Sequence, residues 1–290
     1  GSAYLMFDLN KRYLAEFDEL AAKVKDADAI IMVGGLSARL EGEEMMVPYD
    51  GFSGGDRTKI ELPDVQLRLL EALHATGKPV VLVNCSGSAI AFGDVEDEYD
   101  ALLQAWYAGQ ATGLAVADVI FGEYNPAGRL PVTFYKSTSQ LPDFMDYSMD
   151  NRTYRYFKGE PMYAFGYGMS YSEFSFGKAK LSKSSIKAGK SVDITVPVTN
   201  NSTVAGDEIV QIYVKSLDNP DAPIKALKAY KRVSVAPGKT VKVKLTLAPE
   251  SFAYYSEDVD DLAVFAGKYQ ILYGNSSRDE DLQVIDFNYV

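Results

Sequence analysis

The chain has almost none of the side chains that metal and disulfide chemistry require. One cysteine, Cys85, excludes an intrachain disulfide, and one histidine, His74, excludes a multi-histidine metal site. His74 closes the run Leu69-Leu70-Glu71-Ala72-Leu73-His74 on an expected helix and reads as a surface or boundary residue. No cofactor and no metal is expected. Positive charge is also short: the net charge of −11 argues against a phosphate-backbone partner, so no nucleic acid is expected, whereas a neutral polar substrate such as a sugar is compatible. No apolar run approaches the ~20 residues of a membrane span, so no membrane partner is expected either. There is no internal repeat, no low-complexity segment and no visible signal peptide. Gly1-Ser2 has the look of a cloning remnant, so the natural N-terminus is expected to be missing and the compartment is not legible from it.

What the chain does have is enough apolar mass for a full core: 47 % of its 290 residues, sufficient for one large domain or two of ordinary size. Residues 11–27 carry Leu14, Phe17, Leu20, Ala21 and Val24 at helical spacing, and an apolar strand, Ala29-Ile30-Ile31-Met32-Val33, follows. Pro63 opens a second helix bearing Val65, Leu67, Leu70 and Leu73, which Gly77 stops. Val80-Val81-Leu82-Val83 is a continuous run, as expected of a strand covered on both faces. A short strand over 101–106 and a helix with Leu114, Val116, Ala117, Val119 and Ile120 complete an alternation that predicts an α/β domain with a largely parallel sheet over residues 1–135.

Residues 136–173 are aromatic and aperiodic, and read as a connecting strap lying on the first domain. Beyond 174 the period becomes two. Val192, Ile194, Val196 and Val198 alternate with polar residues, as do Val241, Val243, Leu245 and Leu247; further strands are expected at 207–215, 226–235, 262–273 and 282–290. Turn residues at Ala188-Gly189, Asn200-Asn201, Pro237-Gly238 and Gly274-Asn275 punctuate them. Residues 174–290 therefore predict an all-β, immunoglobulin-like sandwich.

The segment richest in chemistry is Gly34-Gly35-Leu36-Ser37-Ala38-Arg39-Leu40-Glu41-Gly42-Glu43-Glu44-Met45, directly after the first strand. In an open α/β sheet, ligands bind at that edge. The aperiodic stretch runs on to Glu61 and holds Gly51, Gly54 and Gly55 before Asp56-Arg57, a candidate local ion pair. Three carboxylates can simply solvate an exposed loop. Alternatively, crowding raises a carboxyl pKa, which would let one of them protonate a glycosidic oxygen.

Several stretches together carry a family resemblance. They are Val33-Gly34-Gly35-Leu36-Ser37 with Leu40-Glu41-Gly42-Glu43-Glu44, Gly54-Gly55-Asp56-Arg57 with Glu61-Leu62-Pro63, and Val81 through Ala89. Gln104-Ala105-Trp106-Tyr107-Ala108-Gly109-Gln110, Ala117 through Pro131 and Pro161 through Tyr171 belong with them. On these the chain resembles the C-terminal portion of glycoside hydrolase family 3, the β-glucosidase and β-xylosidase family. Glu208 to Val214 and Leu227 to Val233 resemble that family's fibronectin type III-like module. The resemblance covers about residues 28–290 and implies a retaining exo-β-glycosidase acting on non-reducing-end β-linked glucose or xylose. Its nucleophile, an aspartate, would sit on an N-terminal (β/α)₈ barrel. The acid/base would be the second glutamate of a Glu-small-Glu pattern, which maps onto Glu43, with Glu41 supporting or alternative and Glu44 less favoured.

This chain departs from the pattern in places. The barrel, and the first strand or two of the α/β domain, are expected to be missing, so the isolated chain is expected to be inactive. Ala108 stands where the family usually has proline and Ala111 where it usually has glutamate, and Phe92-Gly93-Asp94-Val95-Glu96-Asp97 lacks the usual tryptophan. The resemblance favours a periplasmic or secreted setting. The rival reading is a non-catalytic carbohydrate-binding or scaffolding fragment. Asn84-Cys85-Ser86-Gly87-Ser88 reads as a tight strand exit with a buried Cys85, since no base partner is near in sequence. Trp106-Tyr107 reads as packing, with a sugar-stacking platform as the alternative.

Overall fold

A computed structural model describes residues 14–42, 45–187 and 189–290. The chain divides into two compact units: residues 1–116 with 134–141, and residues 117–133 with 142–290.

The first unit is built on a three-stranded parallel sheet in the order β1-β4-β5, with β1 at Ile30–Gly35, β4 at Val80–Cys85 and β5 at Ala101–Gln104. Helix α1, Leu14–Val24, packs on α2, Asp64–His74, which in turn covers β1. α2 forms as its sequence dictates. Pro63 sets an extended entry, Asp64 places a carboxylate in the first turn where the helix dipole favours it, and Gly77 takes a left-handed φ of 71° just beyond the end. Thr76 Oγ1 and the Gly77 N–H donate to the carbonyls of Leu73 and His74, groups that the helix leaves unpaired. The apolar stripe buries Leu69, Leu70 and Leu73, each worth about 1.5–3 kcal/mol of transfer energy. β4, in the middle of the sheet, is the most buried strand, with Val80, Leu82 and Val83 almost inaccessible. β1 alternates instead: Ile30 and Met32 are buried, whereas Ile31 and Val33 are 45 % and 63 % exposed. A small hairpin, β2 (Phe52–Ser53) with β3 (Asp56–Arg57), interrupts the long stretch between β1 and α2. α3, Thr112–Ile120, crosses the division between the units.

The second unit is a sandwich, preceded by a single-turn α4, Thr153–Tyr156. Its smaller sheet joins β12 (Thr240–Leu247), β9 (Val192–Asn200) and β6 (Phe174–Phe176), with β7 (Lys180–Leu181) also on β9. Its larger sheet runs β11 (Ala226–Val235), β10 (Gly206–Ser216), β15 (Gly267–Gly274), β16 (Leu282–Tyr289) and β8 (Ser185–Ile186). All pairs are antiparallel except β16 with β8. Every second residue of β9 from Val192 is buried, and it meets Val210, Ile212, Val243, Leu245, Ile271 and Phe287 in one core shared by both sheets.

Two expectations are corrected here. The strand expected over 262–273 is two: β14 (Asp261–Val264) pairs with β13 (Ala253–Ser256) in a separate ribbon, and the chain changes partner before β15. Phe265, at the break, stacks on Tyr254 at 4.8 Å and packs against the core. The aromatic strap expected on the first domain packs largely with the sandwich instead. Tyr154 stacks on Phe165 at 4.1 Å and meets the buried Tyr213 of β10 edge-on, and Tyr163 stacks on Tyr167 beneath the Arg278 guanidinium. Tyr154 thus meets β10 at Tyr213, a side chain outside the shared core, a contact that sequence periodicity alone gives no means of assigning.

Candidate active site

The acidic loop leaves β1 at Gly35. A Cβ there would lie 2.1 Å from the Cys85 carbonyl oxygen, and φ is +115°, so only glycine fits the exit. Gln66 of α2 clamps the same residue, accepting from its N–H at 2.7 Å and donating to its carbonyl at 2.6 Å. Leu36 and Leu40 are buried, and the N–H groups of Leu40 and Glu41 both donate to the Ser37 carbonyl. This turn delivers Glu41 to the carboxyl edge of the parallel sheet.

There Glu41 has both oxygens engaged. Oε1 accepts from the Ser88 hydroxyl at 3.1 Å, and Oε2 accepts from the Tyr107 hydroxyl. Ser88 follows β4 and Tyr107 follows β5, so three strand ends converge on one carboxylate. Arg57 Nη1 donates to Ser88 Oγ at 3.0 Å, adding a cation to the group. The expected Asp56–Arg57 pairing is replaced by longer-range bonds. Arg57 also donates to the carbonyls of Lys59, Glu61 and Ala89, because the hairpin turns its fork back toward the strand exit. Burial pulls the Arg57 guanidinium below its ordinary value, against the opposing charges of Glu41 and Glu61. The Tyr107 phenol is raised well above its usual value, first by burial and then by its hydrogen bond to Glu41 and that residue's charge.

Trp106, just before Tyr107, has φ +57°. For a bulky side chain this left-handed conformation costs about 1–3 kcal/mol and persists only where the surroundings impose it. Its ring meets Phe134 edge-on at 6.1 Å, so it packs within its own unit. Glu61 forms a second clamp: its carboxylate accepts from the Thr138 N–H and hydroxyl at 2.7 and 2.6 Å.

Of the sequence-predicted site residues, Glu41 lies at this convergence, while Glu43 and Glu44 lie outside the described residues. Ser88 and Arg57 are site residues that sequence reasoning missed, and Tyr107, read there as packing or a sugar-stacking platform, is bonded to Glu41 instead. The available signal was topological: Ser88 and Tyr107 follow parallel strands, at the edge where loops carry function. Cys85 is half-buried rather than buried, and burial raises its thiol, which disfavours a thiolate nucleophile. Ser86 is committed to structure, donating to the Ser88 carbonyl at 2.8 Å and accepting from Asn84 Nδ2. Among the described residues no cluster of three or more His, Cys, Asp or Glu could hold a metal ion, and no helix is long and apolar enough to cross a membrane.

Comparison with known proteins now adds to this geometry. The glycosyl hydrolase family 3 C-terminal domain matches residues 7–171, and the fibronectin type III-like domain matches residues 208–277. The xylan 1,4-β-xylosidase of Xylanibacter ruminicola is 46 % identical over 281 residues, covering 97 % of this chain and 32 % of that protein. The thermostable β-glucosidase B of Acetivibrio thermocellus is 34 % identical, covering 90 % of this chain and 35 % of its own length. The crystal structure of the Bifidobacterium adolescentis GH3 β-glucosidase superposes with a TM-score of 0.83 at 29 % identity, over 97 % of this chain and 42 % of that one. The chain thus spans about a third of the length of the curated relatives it matches.

Proposed function

This chain belongs to glycosyl hydrolase family 3 through its C-terminal domain, and from that premise we propose that it supplies the proton donor of a retaining exo-β-glycosidase. The substrate would be a non-reducing-end β-linked xylose or glucose, in keeping with the names of the relatives. The single observation that carries this reading is the convergence of three parallel-strand ends on the acidic loop, where Glu41 is held by Ser88 and Tyr107.

The chemistry needs a partner on a preceding barrel domain. In the first step Glu43 gives its proton to the leaving glycosidic oxygen as the C1–O bond breaks, and an aspartate of the barrel bonds to C1. In the second, Glu43 takes a proton from a water whose oxygen attacks C1, and the aspartate is released. Glu41, with both oxygens already engaged, anchors the loop and leaves proton transfer to the glutamate two residues on. A second reading makes Glu41 the donor itself, and its placement at the convergence favours that.

Glu43→Ala and Glu41→Ala in the complete, barrel-bearing enzyme separate the two. The true acid/base variant loses ~10²–10⁴-fold in turnover on glycosides with poor leaving groups. It keeps most activity on dinitrophenyl glycosides and regains deglycosylation with azide. Uniform loss or no loss in both variants would refute proton donation by this loop. The chain alone is expected to give no turnover of nitrophenyl xylosides or glucosides, and wild-type-like turnover would sink the need for a barrel. If titration calorimetry instead shows the chain alone binding xylo- or cello-oligosaccharides, the non-catalytic binding reading gains.

A further inference from the structure

The turn after β1 carries Glu41 to the sheet edge, and two tethers from outside the acidic loop hold its carboxylate there. One of them comes from the segment after β5. Trp106 adopts φ +57°, a conformation bulky side chains rarely take, and its ring is set against Phe134. The turn that results brings the Tyr107 hydroxyl onto Glu41 Oε2, while 46 % of the tyrosine stays exposed. Gly87 leaves room for the pair: a Cβ there would come within 2.9 Å of the Tyr107 ring and 3.2 Å of Glu41 Oε2. On the other oxygen, Ser88 donates to Glu41 and is itself pinned by Arg57. A strained residue at a site rim signals a function when the strain aims a neighbouring side chain.

We propose that Tyr107, aimed by the strained turn at Trp106, is a positioning residue that fixes Glu41 and with it the proton-transfer carboxyl of the acidic loop. The proposal rests on the glycosidase reading above. The raised phenol supports it, because a hydroxyl that stays protonated across the neutral range stays a donor. A proton donor displaced by about 1 Å costs on the order of 10²-fold in rate, so loss of one tether is measurable.

The test is made in the complete, barrel-bearing enzyme with Tyr107→Phe, which removes one oxygen and keeps the ring against Gly87. Turnover of a methyl or alkyl glycoside is expected to fall at least tenfold, while a dinitrophenyl glycoside stays within threefold. The alkaline limb of kcat/KM against pH, where the proton donor is lost, is expected to move as well. Arg57→Lys, which keeps the charge but loses the fork, is expected to show the same leaving-group pattern more weakly. Equal losses on both substrates, or no loss with an unmoved pH profile, would overturn the positioning role. Glu41→Gln and Glu43→Gln run as controls. If either shows the leaving-group pattern and Tyr107→Phe does not, only the positioning role fails. If neither shows it, proton donation by the loop fails and the positioning role falls with it.

Discussion

Replacing Arg129 with alanine would strand the Glu208 carboxylate inside the sandwich unit. The two side chains are 7 % and 1 % exposed, and Arg129 Nη2 meets Glu208 Oε1 at 2.6 Å. The same oxygen accepts the Ile209 N–H at 2.7 Å, and Asn275 reaches the other at 3.2 Å. Those neutral donors cannot replace the cation. Breaking a buried pair by removing one partner typically costs about 3–5 kcal/mol, because a charge is left uncompensated in low dielectric. For a unit of this size each kcal/mol shifts the midpoint by roughly 2–4 °C, so Arg129→Ala should lower Tm by about 6–20 °C. Urea unfolding followed by circular dichroism at 218 nm, a signal dominated by the sandwich strands, measures the loss directly. The double variant Arg129→Met with Glu208→Gln removes both charges and should recover more than half of it. A single-variant loss below about 1 kcal/mol, or a double variant as unstable as the single, would refute the claim that stranded charge is the cause.

Two further predictions concern the first unit, where the single tryptophan, Trp106, gives a local fluorescence signal. Burial pushes the Glu61 carboxyl upward, but the Thr138 hydroxyl and N–H donors outweigh this and hold it below the ordinary range. Its contribution is therefore full above the unfolded value of about 4.3 and is lost as pH falls through the lower folded value. Glu61→Gln should cost roughly 1 kcal/mol at neutral pH, discounted for partial exposure, and should flatten the acid-side fall in stability. An unchanged pH slope in fluorescence-monitored melts counts against the clamp. Gly35→Ala forces a Cβ to 2.1 Å from the Cys85 carbonyl at φ +115° and should destabilise by more than about 3 kcal/mol. A fluorescence-monitored melt within 2 °C of wild type would show that the β1 exit is not as constrained as its geometry implies.

The elements that were legible from sequence are those whose periodicity is enforced by burial. β9 and β12 alternate because one face meets the shared core, and β4 is continuously apolar because it sits mid-sheet. α2 was readable from Pro63 to Gly77 because both ends carry residues with restricted backbone behaviour. The site was legible only in part. The acidic loop marks itself by composition, but its tethers join residues 47 and 66 positions apart, and neither contact has a local signature. Arg57 misled for the same reason: adjacency to Asp56 suggested a pair, while the hairpin turned its donors to backbone carbonyls. The break between β14 and β15 was hidden because Phe265 is as apolar as the strands it separates.

The clamps at Glu41 and Arg57 also bear on how this loop can change over evolutionary time. Between them they roughly halve the span of chain that must be closed between β1 and α2. Each halving of a closed span saves about 0.6 kcal/mol of chain entropy, and the converse is as useful: lengthening costs equally little. Insertions and deletions between the acidic run and the β2–β3 hairpin, over residues 46–51, are therefore nearly free in conformational entropy, while the same changes outside the clamps would move Glu41 itself. The loop is thereby divided into fixed ends and a variable middle, and the middle can lengthen or shorten around a new ligand without disturbing the carboxylate that anchors it.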